Sequence, residues 1–488
     1  MHVVHDSRAS MKWWLLGILA VAWAIRITLA LRGGQMFWLD ESFRWYPGQQ
    51  IADAFRYHHD PHEALMVIVK QSSQHIGFLI FSVPAALLFE ISGRSPMAMG
   101  MTTAVLGLAS VWVIAIVYGL ARRMGADVEE ALLAAALTAA TACLTVYARH
   151  ILPYDASLAL ALTALWLALD PRTSWIRSIF VGLGAGIALL VYYGNQSLVA
   201  TVLAVHVLAG KHRPIRVLGS VGGVLIPLLG LQVLTVAAGG PAFLDQFWAH
   251  QVGNGPHTIV DVQGDLAEGW LLPFRYFWAS EHGLAFVWLL ALVVTPFLIG
   301  RVPRLRWWFG IVIVLYGQLA LWSTGFGVAA ALGRLARPIA PFLCLLTAGV
   351  LRNAPRQRGY VILGILALVG QASWNLTIPF QQVWPSQLHK EIGAPRSVLS
   401  VRGPEEAGVT ACNTGDSTAR GLVLVNTCTW LYPIRDVYPP IMGQTLRTWA
   451  HPLQYVPYQY EVLNPEMRAV AARADLSMRL VDQGRGGN

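Results

Sequence analysis

Two adjacent carboxylates stand just beyond the first long apolar run, in Trp38-Leu39-Asp40-Glu41. At a bilayer surface, a carboxylate held half out of water has its pKa raised and can act as a base, or it can be neutralised by a cation. The plainer alternative is an Asp40 that caps a short helix starting at Glu41 or Ser42. A second polar concentration reads Tyr147-Ala148-Arg149-His150-Ile151-Leu152-Pro153-Tyr154-Asp155. Pro at the first turn of the next helix would present Arg149, His150 and the helix start, with Tyr154 and Asp155, to one surface. An Arg at a helix entry suits a phosphate, and snorkelling to headgroups is its bland use. Arg334 and Arg337, in Gly333-Arg334-Leu335-Ala336-Arg337-Pro338, are three apart and share one helix face, where their donors can grip a phosphate bidentately.

These groups must be positioned by a bilayer-embedded scaffold. Of 488 residues 55% are hydrophobic and 12% charged, with a mean hydropathy of +0.51, which excludes a water-facing globule of this size. The net charge of +9 comes from short basic clusters between apolar runs, the pattern of cytoplasmic loops rather than of a nucleic-acid-binding face. We count about 11 transmembrane helices: 11–31, 97–121, 129–147, 154–170, 175–194, 196–210, 217–237, 283–300, 307–325, 334–351 and 359–377. With Lys12 inside, the clusters at Arg122-Arg123, Arg172/Arg177, Arg213/Arg216, Arg301/Arg304/Arg306 and Arg352/Arg356/Arg358 all fall on the cytoplasmic side. Asp40-Glu41 and the C-terminus then face outward. The first span is too long for a signal core and lacks a small-residue cleavage site.

Residues 33–96 form the first outer loop. Its apolar run Ile76 to Phe89 is short for a crossing, and counting it would reverse every later loop, so the segment is expected as an interfacial juxtamembrane helix. His58, His59 and His62 near acids resemble metal ligands in type, but solvated polar residues are the favoured reading. From Pro379 charge rises and 421–426 reads as a strand, predicting a small α/β domain over 379–488 behind the transmembrane domain 1–378. Cys412 and Cys428 could pair there in an oxidising compartment, whereas Cys143 and Cys344 are expected to pack within spans. The aromatic stretch His451 to Glu461 could stack on a sugar face or a protein acceptor, with that domain's core the favoured reading.

The order of these features resembles a family. An outward acidic pair (Asp40-Glu41), a juxtamembrane His75-Ile76-Gly77-Phe78, a span from Thr103-Ala104-Val105-Leu106-Gly107 through Val111 and Tyr118 to Ala121-Arg122-Arg123, and the Tyr147/Pro153-Tyr154 loop are similar to the GT-C glycosyltransferases. These include the protein O-mannosyltransferase and aminoarabinose transferase group. The likeness is good over roughly the first 170 residues and loose beyond. Ile76-Gly77 replaces the family's Pro-Pro and Arg149-His150-Ile151-Leu152 its Gln-Glu-Ala-Arg, so the second family acid is missing and Asp155 is the nearest substitute.

The resemblance implies an all-α polytopic GT-C-like bundle and transfer of a sugar from a polyprenyl-phosphate carrier to a lipid, glycan or protein acceptor on the extracytoplasmic face of the plasma (inner) membrane. Asp40 is then the general base and Glu41 its orienting partner. Arg149, Arg334 and Arg337 hold the donor phosphate, while His75, His150, Tyr154, Asp155 and Asn195 line the substrate site, Asn195 being readable also as a turn residue. No cofactor is demanded, although a divalent cation is possible. The competing classes are an export component for lipid-linked saccharides, which would also carry intramembrane charges, and a non-catalytic scaffold of GT-C descent.

Overall fold

A computed structural model describes residues 3–381, except 32–38, 71–74, 254–269, 326–332 and a few short gaps that include Arg149. Beyond 381 it describes five strands. Every expected span coincides with a helix or a broken pair. The helices are α1 (Val3–Leu31), α2 (Leu39–Asp53), α3 (Pro61–Lys70), α4 (Leu79–Ile91), α5 (Pro96–Leu106), α6 (Leu108–Arg123), α7 (Val128–Ala140), α8 (Ala142–Tyr147) and α9 (Tyr154–Ala168). They continue with α10 (Trp175–Val191), α11 (Gln196–Leu208), α12 (Arg213–Ala237), α13 (Phe243–Gly253), α14 (His282–Leu298), α15 (Leu305–Gly325), α16 (Ala340–Asn353) and α17 (Gln357–Gln381).

Among the described residues three helical stretches are long and apolar enough to cross a membrane: Trp13–Leu31, Met97–Arg123 and Arg213–Ala237. This is fewer than the eleven expected, because the other described apolar stretches, among them Leu305–Leu321 of α15 and Ile362–Ser373 of α17, are shorter, and the 129–147 run is broken at Thr141, which takes ψ 130°. Side chains on both sides of that break stay apolar, so periodicity alone does not reveal it.

Helix starts follow local chemistry. The Asp127 carboxylate accepts from the Glu130 N–H and Ser174 Oγ from the Arg177 N–H, capping α7 and α10. The core is rich in alanine, with Ala131, Ala134, Ala161, Ala185 and Ala348 buried among Leu and Val, so the backbones approach closely. Between α10 and α12 the approach is closest. A Cβ on Gly182 would lie 2.0 Å from the Ser220 carbonyl oxygen, and one on Gly223 2.1 Å from that of Ile179.

Ion pairs gather the basic clusters at one end of the bundle. Asp170 receives Arg123 at 2.7 Å and Arg177 at 2.9 Å, and its carbonyl accepts from Arg216 at 3.2 Å. Glu130 receives Arg304 at 2.9 Å, and Arg352 reaches Asp127 at 2.8 Å and Glu129 at 2.9 Å. At the opposite end Gly100 of α5 lies against Ala30 and Leu31 of α1, and Gly77 against Leu190 and Val191 of α10. The segment Ile76–Ile91 therefore starts and finishes at the end away from the basic clusters.

In the C-terminal region the strands are β1 (Ser397–Val401), β2 (Cys412–Asn413), β3 (Leu422–Thr427), β4 (Gln444–Ala450) and β5 (Ser477–Asp482). They form one mixed sheet of order β2-β1-β3-β5-β4, with β1 and β3 parallel and the other pairs antiparallel. The 421–426 strand is thus present as β3. Cys428 and the 451–461 aromatic stretch lie outside the described residues.

Candidate active site

The acidic pair rides on α2, which begins at Leu39. Asp40 and Glu41 therefore occupy the helix's first turn, where the dipole favours negative charge, rather than preceding it as a cap. Their side chains lie outside the described part of the structure, as do that of Arg334 and the whole of Arg149. α2 is firmly seated. Trp45, 2% exposed, packs in one cluster with Phe78, Ala85, Ile151, Ala156 and Val191, and its indole donates to Gln49 at 2.9 Å. Gly48 abuts Ser82 of α4 so closely that a Cβ would fall 2.7 Å from the hydroxyl. Through Ile151 and Ala156 this packing sets the acidic helix against the loop that joins α8 to α9.

Behind α2 a line of rings crosses the same end of the bundle. His75 adopts a left-handed backbone (φ 50°), and its Nδ1 accepts from the Tyr193 N–H at 3.2 Å, which leaves Nε2 as the protonated nitrogen of the neutral ring. Its ring meets Tyr192 and Tyr193 at centroid distances of 5.0 and 4.7 Å. Tyr192 continues to Tyr154 at 4.7 Å, and Tyr154 to Tyr147 at 5.6 Å. The Arg337 guanidinium lies 5.2 Å from the Tyr147 ring centroid. His150, also buried, sits in the turn closed by its own N–H donating to the Tyr147 carbonyl at 3.0 Å.

Two expectations change in detail. Arg337 is 1% exposed, and its Nη2 is turned inward onto the carboxylate of Asp155, so its charge is compensated within the protein rather than presented outward. A tight turn, Arg337–Ile339 with Pro338 as its second residue, brings the side chain to Asp155 in the first turn of α9. Asn195 directs its amide donor to Ser157 Oγ at 2.8 Å, and that hydroxyl donates to the Ala188 carbonyl at 2.7 Å. The residue thereby ties the turn after α10 to α9, as its turn reading has it. The structure thus brings together His75, His150, Tyr154, Asp155, Asn195 and Arg337 at the end that carries α2.

Two buried ionisable residues were given no role by the sequence. Glu281, just before α14, accepts from the N–H groups of Ala142 at 2.7 Å and Cys143 at 2.9 Å, satisfying the start of α8 beyond the Thr141 break. Arg26 of α1 donates to Ser110 Oγ at 2.8 Å and to the Ala22 carbonyl at 2.9 Å. A charged residue at the edge of, or within, an apolar run was the available signal in both cases. Cys143 and Cys344 are buried free thiols, in keeping with packing roles. Among the described residues no three His, Cys, Asp or Glu side chains are placed to hold a metal, and His58 instead meets Glu63 at 2.5 Å.

No protein-family model and no curated protein matches the chain. Solved structures do. ArnT from Cupriavidus metallidurans bound to undecaprenyl phosphate is similar over 78% of this chain and 75% of its own, at 15% identity and a TM-score of 0.48. The archaeal oligosaccharyltransferase AglB from Archaeoglobus fulgidus, in complex with an inhibitory peptide and a dolichol-phosphate, is similar over 76% of this chain at 15% identity and a TM-score of 0.42. The apo form of the Archaeoglobus fulgidus oligosaccharyltransferase gives 77%, 14% and 0.41. This chain spans about half the length of the oligosaccharyltransferases, 55% and 56%. At TM-scores below 0.5 these likenesses assign no residue a role.

Proposed function

We propose that the protein is a membrane glycosyltransferase that moves a sugar from a polyprenyl-phosphate carrier to a lipid, glycan or protein acceptor. The observation that carries this reading is the polarity of the bundle. Basic clusters and their acidic partners occupy one end, while the acidic helix α2, His75, His150 and the Tyr147–Tyr154–Tyr192 line occupy the other. With the basic end in the cytoplasm, the second end opens at the extracytoplasmic face of the inner membrane. A polyprenyl chain, held in the bilayer by about 0.8 kcal/mol per methylene, delivers its phosphate at that level.

In this scheme Asp40 removes the acceptor hydroxyl proton as its oxygen attacks the anomeric carbon, and Glu41 orients base or acceptor. The bond from that carbon to the phosphate oxygen breaks, and Arg149 and Arg334 stabilise the departing phosphate. Arg337, the third expected phosphate ligand, is held by Asp155. About eleven spans and an extracytoplasmic C-terminal domain complete the proposed topology. The ArnT and AglB structures are complexes with undecaprenyl phosphate and a dolichol-phosphate, a carrier class compatible with this donor.

The transporter reading gains one observation, the buried Arg26. That guanidinium is hydrogen-bonded between α1 and α6 rather than lining a path, so the enzyme reading stands ahead. Incubating purified protein with a panel of polyprenyl-phosphate sugars tests the proposal. Release of polyprenyl phosphate, by hydrolysis or transfer, supports it, and inertness toward the panel counts against it.

A further inference from the structure

Between α11, α15 and the Arg337–Ile339 turn lies a slot lined by Gln196, Ser197, Gln318, Leu335 and Pro338. Gln318 belongs to α15, an apolar helix, and its Oε1 is buried without a hydrogen-bond partner. Gln196 and Ser197, both half-buried at the start of α11, line the same slot. Two amides and a hydroxyl thus converge on one cavity in a membrane-embedded protein, where an unsatisfied polar group is costly. Water-sized groups have about 30 Å³ there, against the roughly 10–15 Å³ that holds a single water. The space suits one or two hydroxyl groups.

The slot's chemistry narrows its ligand. Amides and a hydroxyl offer both donors and acceptors and no charge, which matches neutral hydroxyls; a phosphate or carboxylate would draw guanidinium or ammonium partners. Leu335 and Pro338 make its wall continuous with the short helix Gly333–Ala336, which carries Arg334, and with the turn that carries Arg337. A ligand whose hydroxyls enter the slot keeps its phosphate beside that turn. We propose that Gln196, Ser197 and Gln318 form the subsite that reads hydroxyls of the transferred sugar, an assignment that rests on the glycosyl-transfer reading and adds a sugar-selecting site to it.

The test uses the full chain in lipid nanodiscs, as wild type, Gln318→Leu, Gln196→Ala and Ser197→Ala, each shown folded by thermal unfolding. The probes are a panel of methyl glycosides, followed by saturation-transfer NMR, and bare undecaprenyl phosphate. At least one glycoside should bind wild type, and Gln318→Leu and Gln196→Ala should weaken it tenfold or more, with bare carrier affinity unchanged within twofold. Ser197→Ala, the least disruptive change, should give a smaller loss in the same direction. Equal glycoside binding by wild type and the variants, or no glycoside binding at all, overturns the subsite. A parallel tenfold loss of bare carrier overturns it too, because the slot would then serve the phosphate. Failure of wild type to bind bare carrier strikes instead at the glycosyl-transfer reading, while the glycosides still judge the slot.

Discussion

Arg337 and Asp155 form an ion pair across the start of α9, with side chains only 2% and 8% exposed. Two charges so far from water stabilise the fold only together, since removing one leaves the other buried and uncompensated. Arg337→Ala is therefore expected to lower unfolding stability by ~3–5 kcal/mol, and Asp155→Asn by a similar amount. The double replacement Arg337→Met/Asp155→Leu should recover most of that loss. Denaturant titration of the four proteins in detergent checks this, and additive single losses would show that the pair is not coupled.

Glu281 has the same buried character with a different partner, the backbone. Glu281→Ala leaves the Ala142 and Cys143 N–H groups without acceptors, at ~1–3 kcal/mol each, whereas Glu281→Gln keeps one carbonyl and should cost less. Thermal unfolding of both variants, with amide exchange followed over α8, reads the difference. Equal stability of the Ala and Gln variants would contradict the capping role.

How much of this was legible in the sequence depends on whether the signal is local. The apolar runs are local, and each one expected as a span falls on a helix; the short run Ile76 to Phe89 returns to the end where it began. The N-caps at Asp127 and Ser174 follow from residue type. Breaks such as Thr141 leave the apolar pattern intact and cannot be seen. Arg337 precedes a Pro at the outer end of a span and so reads as an outward cation, yet its fate is set by Asp155, which only the tertiary packing of α9 supplies. Glu281 and Arg26 likewise acquire meaning only from partners on distant helices.

Asp127 sets a pH dependence at the basic end. Burial pushes its carboxyl up, but the Glu130 N–H and the Arg352 guanidinium outweigh this and hold it below its usual value. A depressed folded pKa gives stability that is fully present above the unfolded value, about 3.9, and is lost as pH falls through the folded value. The group is half exposed, so the effect is at most about 1 kcal/mol. Wild type should lose thermal stability below about pH 4 more steeply than Asp127→Asn, which keeps the cap without the charge. Parallel pH profiles would contradict the assignment.

The sidedness of the bundle is open to labelling. Gly48 and Gly210 are poor cysteine sites, because a Cβ there would meet Ser82 or Arg216. Exposed Gln50 of α2 and Pro241 after α12 serve for one end, and exposed His212 and Arg301 for the other. In intact cells, in a Cys412→Ser/Cys428→Ser background, Gln50→Cys and Pro241→Cys should react with an impermeant maleimide, while His212→Cys and Arg301→Cys should react only after permeabilisation. Outside reactivity of Arg301→Cys would invert the proposed topology.

The central claim is that this end of the bundle transfers a sugar with Asp40 as base. Its most direct test compares wild type, Asp40→Asn and Glu41→Gln for release of polyprenyl phosphate from the sugar-linked carrier that wild type uses, at matched thermal stability and matched binding of bare carrier. Asp40→Asn keeps the shape of the side chain but cannot accept the proton, so turnover should fall by about 10²-fold or more, with Glu41→Gln less affected. Turnover of Asp40→Asn at the wild-type rate would contradict the account.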